Sequence, residues 1–119
     1  MGQLSDALAS AGRQLAARLA AHPELLADAE IRAALPQSWR FETESESAVL
    51  RIDRRGRVTV EADVVEPPEV IVRWEQAELV AALLRGRSSE EARPRPPSIR
   101  FPSDAGRKAF SRLGTSLGV

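Results

Sequence analysis

The chain has 119 residues, enough for one domain with a single modest core. It contains no cysteine, which excludes a disulfide scaffold, a thiolate metal site and a cysteine nucleophile. Its 17 basic and 17 acidic residues cancel, but unevenly: residues 1–84 hold nine Arg against fourteen acids, and residues 85–119 hold seven Arg and one Lys against three. The basic C-terminal part suits an anionic partner, or else it closes against the acidic part of the same surface. Apolar residues make up 43% and aromatic ones only 4%, so the interior is expected to be Leu, Val, Ile and Ala. No apolar run approaches the roughly twenty residues that span a bilayer. The N-terminus also lacks the basic-then-apolar pattern of a signal peptide, and a cytoplasmic protein is the expectation.

The first element is an amphipathic helix over residues 4–21, with Leu4, Leu8, Ala11, Leu15 and Leu19 on one stripe. His22-Pro23 ends it, because proline disfavours helical geometry in the residue before it. A second helix follows over residues 24–35, carrying Leu25, Leu26, Ile31 and Leu35, and stops at Pro36. Trp39, Phe41 and Thr43 alternate with Arg40, Glu42 and Glu44, the pattern of a strand.

Residues 48–86 then change period twice. Ala48, Leu50 and Ile52 alternate with Val49, Arg51 and Asp53, and after Gly56 the series Val58, Val60, Ala62, Val64 alternates with Thr59, Glu61 and Asp63. One apolar face at period two predicts a half-buried antiparallel pair, with Gly56 supplying the positive φ of its turn. Leu50, Ile52, Val58, Val60, Val70 and Val72 are expected on the buried face, and Arg51, Thr59, Glu61 and Arg73 on the other. Pro67-Pro68 interrupt the chain, Val70-Ile71-Val72 restart it as a strand, and from Glu75 the spacing turns helical with Leu79, Val80, Leu83 and Leu84 on one stripe. Gly86 stands where such a helix would be capped.

The stretch from Arg87 to Pro97 is the least regular: Ser88-Ser89-Glu90-Glu91 fit a short helical turn, and Pro94, Pro96 and Pro97 forbid regular structure beyond it. Residues 98–101 suit a short strand. Ser103 then caps a last helix that runs to about Leu113 and ends at Gly114. Phe110, Leu113 and Leu117 give it an apolar end that faces the sheet. The predicted order is α-α-β-β-β-β-α-β-α, an α+β fold in one domain over residues 1–119. Residues 1–36 form the N-terminal helices, and residues 38–117 the sheet and C-terminal helices.

Residues 38–117 resemble the sterol carrier protein type 2 family. The likeness lies in Leu50-Arg-Ile-Asp-Arg-Arg-Gly56, in Val58-Thr-Val-Glu, in Glu69-Val-Ile-Val-Arg-Trp-Glu-Gln-Ala-Glu-Leu79 with Leu83-Leu84-Arg85-Gly86, and in Ser98-Ile-Arg-Phe101 with the helix after it. Three features depart from the family's pattern. Glu75 stands where a hydroxyl or Asp usually caps the helix, Pro102-Ser103-Asp104 follow the last strand, and the segment after Gly86 is rich in Pro and Arg. The resemblance implies a five-stranded, mainly antiparallel sheet covered on one face by helices, with an apolar tunnel between them. It further implies binding or transfer of a fatty acyl, sterol-like or isoprenoid ligand without catalysis and without a cofactor. Trp74, Leu79, Leu83, Phe101, Phe110, Leu113 and Leu117 are the candidate lining residues.

Little else in the chain offers chemistry. His22 is the only histidine and is expected at a helix end; with no second His and no Cys, ordinary zinc sites are excluded. Glu42, Glu44 and Glu46 read as the solvated side of a strand. Gly86, Gly114 and Gly118 read as helix punctuation. Arg85, Arg87, Arg93 and Arg95 suit an anionic membrane surface or the phosphates of an acyl-CoA; no nucleic-acid partner is expected, because stacking aromatics are absent among them. An alternative function from another class is an interaction module or accessory subunit of an enzyme complex, with the same fold and a filled core.

Overall fold

A computed structural model describes residues 2–62, 67–85 and 97–117, with the side chains of residues 115 and 116 left aside. Helix α1 (Gln3–Ala21) is followed by two short helices, α2 (Glu24–Ala27) and α3 (Ala29–Ala34). The single helix expected over residues 24–35 is therefore broken. The break is at Asp28, whose extended backbone lets its carboxylate accept from the N–H groups of Glu30 (2.9 Å) and Ile31 (3.3 Å) and start α3 afresh.

Strands β1 (Gln37–Glu42), β2 (Ser47–Ile52), β3 (Val58–Glu61) and β4 (Val70–Arg73) come next, then helix α4 (Gln76–Arg85) and strand β5 (Ser98–Arg100). Helix α5 (Asp104–Leu113) and a 3-10 turn (Gly114–Leu117) complete the described chain. The sheet order is β3-β2-β1-β4-β5. β1 runs parallel to β4, and every other neighbouring pair is antiparallel. The fold is α+β, the class that the alternation and the helical spacings predict, and its five-stranded sheet is mixed, with one parallel pair.

Register follows the apolar pattern. Trp39, Leu50, Val60 and Val70 lie in one row across four strands, and Phe41, Ala48 and Val72 in the next. These residues, with Ile52, lie on the face that meets α1 and α5 and pack in one cluster with Leu4, Leu8 and Leu15 of α1. Val58 and Val60 on the edge strand are half-buried, whereas Leu50, Ile52, Val70 and Val72 expose nothing. A slip of one residue would exchange that set for Arg51, Arg73 and Glu61, which fixes the pairing.

Gly56 takes φ +83° in the β2–β3 turn, a conformation open to glycine at little cost. Gly114 stands at the C-cap of α5, the punctuation expected of it, without a left-handed backbone. Its φ is −74°, and the chain continues as the 3-10 turn that carries Leu117 into the core. A Cβ there would come within 2.8 Å of the Phe110 ring. The expectations for Val64, Gly86, Gly118 and the segment from Arg87 to Pro96 lie outside the described residues.

Candidate functional site

The interior between sheet and helices is where the resemblance puts a ligand. Leu79 and Leu83 sit four residues apart on one side of α4, the helix that packs on α1 and the 3-10 turn, and neither exposes any surface. Leu113 at the end of α5 and Leu117 in the 3-10 turn are equally enclosed, and Phe110 is 7% exposed. Phe110 meets the ring of Trp39 edge-on, with centroids 5.0 Å apart and the planes at 79°. The Trp39 indole N–H donates to Oε1 of Gln37 (3.0 Å), whose Nε2 donates to the carbonyl of Ala34 (2.6 Å). This buried polar chain holds the fully enclosed Trp39 ring against Phe110. A side chain that lines a tunnel has surface facing it; these leucines have none.

The structure thus gathers five of the seven candidate residues into one cluster, as core. The other two are at its margin. Trp74 is half-buried at the end of β4, in a shallow groove with Thr43, Glu44 and Ser98. Phe101, just past β5, is 39% exposed and leans on Phe110 with centroids 6.1 Å apart. Leu84, expected on the buried stripe, is 56% exposed. At ten residues α4 can turn only one face inward, and Leu79 and Leu83 occupy it.

The opposite face of the sheet carries mostly polar side chains among the described residues, with Val49 and Ser38 buried on it. Glu61, Val49, Arg40, Ile71 and Arg100 form one row across all five strands, flanked by Thr59, Arg51 and Ser38 on one side and Ser47, Glu42, Arg73 and Ser98 on the other. Glu42 pairs with Arg40 (2.8 Å) and Arg73 (3.3 Å), and Glu61 with Arg51 (3.7 Å). Four guanidinium groups against two carboxylates leave this face basic. Period-two spacing already directs each of these arginines outward. Their convergence needs the strand order, which brings β4 and β5 beside β1. Of the arginines expected to meet a membrane or acyl-CoA, Arg85 is exposed at the end of α4. Arg87, Arg93 and Arg95 lie outside the described residues.

Glu44 and Glu46 are not on a strand face, contrary to expectation. They occupy the β1–β2 turn, where Thr43 Oγ1 accepts from the N–H groups of Ser45 and Glu46 (3.0 and 2.8 Å). From that turn Glu44 accepts from the N–H of Gln76 at the start of α4 (2.9 Å), and Glu46 from that of Leu4 at the start of α1 (3.2 Å). The Gln76 N–H lowers the Glu44 pKa. Partial burial pushes Glu46 up, and the hydrogen bonds from the α1 N–H groups and the Gln76 amide outweigh it, so its pKa is lowered as well. Both carboxylates stay ionised as caps. His22 is exposed at the end of α1, its ring Nδ1 3.1 Å from Oε1 of Glu24. Among the described residues no group of three His, Cys, Asp or Glu is placed to hold a metal ion, and no helix is long and apolar enough to cross a membrane.

No family model matches the chain, and no curated protein matches it. Among solved structures it is similar to MycE methyltransferase from the mycinamycin biosynthetic pathway in complex with Mg and SAH (17% identity, TM-score 0.36). It is likewise similar to the complex of that protein with Mg, SAH and mycinamycin VI (17% identity, TM-score 0.37). The alignments cover 98% of this chain and 35% and 36% of the other, so the chain spans about a third of that enzyme's length. The expectation that the chain is not an enzyme is corrected at this point: the solved structures just named are those of an enzyme. At these TM-scores the likeness carries neither that enzyme's fold nor its reaction to this chain.

Proposed function

We propose that the chain is an interaction module with a filled core, which docks an acidic surface of a partner protein on the open face of its sheet. The observation that carries this reading is the closure of the interior: Leu79, Leu83, Leu113 and Leu117 expose no surface, and Trp39 is equally enclosed against Phe110. A lipid carrier needs apolar walls that fail to meet, since its affinity comes from about 0.8 kcal/mol per buried CH₂ of the guest. The excess of arginine on the open face is complementary to carboxylates. That face carries no aromatic ring among its strand residues, which sets it apart from a nucleic-acid stacking platform. A cytoplasmic location goes with this reading.

The test combines two measurements. A fluorescent fatty acid titrated into the parent protein is expected to show no saturable binding, and saturation at one equivalent overturns the reading. A stoichiometric protein partner recovered with the tagged chain is expected to dissociate as salt rises, and to be lost when Arg51 and Arg73 are both changed to Glu. Retention of that partner by the double variant removes the sheet face from the interaction.

Lipid carriage remains the second reading, favoured by the layer arrangement that the sterol-carrier resemblance implies, a five-stranded sheet with helices on one face. Leu83→Trp separates the two. In a filled core it overpacks and costs roughly 1–3 kcal/mol in a thermal melt. In a hollow one it leaves the fold stable and displaces the guest.

A further inference from the structure

We infer that a second copy of this chain docks on the groove between α1 and α4, as a two-fold dimer. The groove, about 490 Å³, has Ala7 and Ser10 of α1 on one side and Val80 and Leu84 of α4 on the other. Leu84 and Phe101 are the large apolar side chains left exposed among the described residues, and Leu84, at 56%, is the more exposed. It stands beside small residues that leave room for another side chain.

The charges choose the occupant. Asp6 and Arg13 line the same groove, both exposed, and neither has an ion-pair partner among the described residues. They are seven residues apart on α1, two helical turns and about 10 Å, on one side of the helix. In an isologous contact each pairing occurs twice, residue i of one copy on residue j of the other and the reverse. If two α1 helices cross antiparallel near Ser10, Asp6 of each copy faces Arg13 of the other and Leu84 of each enters the opposite groove. An anionic lipid or an acidic peptide would meet Asp6 as a like charge, whereas a second copy satisfies both ends. This inference uses a different surface from the open sheet face and does not depend on the reading given for it.

Sedimentation equilibrium of the full chain over a wide concentration range tests it, with far-UV circular dichroism to confirm folding of each variant. The parent is expected to show a reversible monomer–dimer equilibrium. Asp6→Arg and Arg13→Asp alone are each expected to weaken the dimer about tenfold or more, because like charges then meet at both ends. The double variant Asp6→Arg/Arg13→Asp restores it, and so does an equimolar mixture of the two single variants. Leu84→Glu, on an exposed position that leaves the monomer folded, yields monomer. A parent that stays monomeric overturns the inference, as does a dimer indifferent to the single reversals. A fluorescent fatty acid bound by the monomer and lost in Leu84→Glu would instead assign the groove to a small apolar ligand and also overturn it.

Discussion

The carboxylate of Glu46, in the turn between β1 and β2, accepts the backbone N–H of Leu4 at the start of α1, 42 residues away in sequence. Gly2 precedes α1 and has no side chain to cap it, so its first turn would otherwise leave its donors unpaired. The same carboxylate accepts from Nε2 of Gln76 (2.6 Å), and Glu44 two residues earlier accepts the Gln76 N–H. One four-residue turn therefore caps both α1 and α4, the helix packed on α1. The Glu at position 75, out of keeping with the usual cap, is explained by the same contact, because the cap comes from Glu44.

Removing the Glu46 carboxylate should loosen α1 and strand the Gln76 amide. Glu46→Ala is expected to cost roughly 0.5–2 kcal/mol, the range for losing a helix N-cap, and Glu46→Gln less because an acceptor oxygen remains. Urea titration of the three proteins measures it, and equal midpoints would show that the contact contributes nothing.

The pH dependence of stability follows from the same groups. Glu44 is lowered by the Gln76 N–H, Glu46 by its hydrogen bonds despite partial burial, Asp28 by Arg112, Asp53 by the Arg57 N–H and Asp104 by Arg107. A carboxyl whose pKa is lower folded than unfolded binds fewer protons when folded, so stability rises with pH across that interval. The contribution is complete above the ordinary carboxylate value of about 4.3 and is lost as pH falls through the lowered values. Melting temperature should be level from neutral pH to about 5 and fall below about 4. Glu46→Gln should flatten that fall, and an unchanged acid limb would remove Glu46 from the account.

Gln37 should matter more than its size suggests. Its side chain takes the Trp39 indole N–H and satisfies the Ala34 carbonyl, both away from water. Gln37→Leu leaves two buried polar groups without partners, at about 1–3 kcal/mol for the first and less for whatever the second recovers. A shift in the emission spectrum of Trp39 with a lower midpoint would accompany it. Neutrality of the change would mean that water replaces the amide.

Asp28 has two duties, capping α3 and pairing with Arg112 of α5 at 2.6 Å. Asp28→Ala is therefore expected to lower the melting temperature more than Arg112→Ala, which removes the pair alone. The pair sits at the surface, so its share should shrink in high salt while the cap's share persists. The opposite ranking would mean that the ion pair, and not the cap, holds α3 against α5.

Leu50→Ala and Glu61→Lys test the register. Leu50 is fully buried between Trp39 and Val60 in the sheet row, and its truncation should cost about 2–5 kcal/mol. Glu61 is exposed on the edge strand, and its change should be nearly silent. Comparable losses from the two would place the strand in the wrong register.

The sequence alone determined the α+β class, the order of the elements from β1 to α5 and the face of each strand. These rest on local repeats, period two in the strands and 3.6 in α1 and α4, that one segment suffices to reveal. Ser103 as the cap of α5 and Gly56 in its turn were legible for the same reason, since a cap and a turn are settled within four residues. The break of the second helix at Asp28 was not read, because a cap inside a helical pattern competes with continuation and here Arg112 from α5 adds to it. The duties of Glu44 and Glu46 depend on where α1 and α4 begin in space, and the basic sheet face on which strands lie side by side. Whether Leu79, Leu83, Leu113 and Leu117 enclose a guest or one another is decided by the distance between layers. Hydrophobic pattern says which way a side chain points, and only tertiary packing says what it meets.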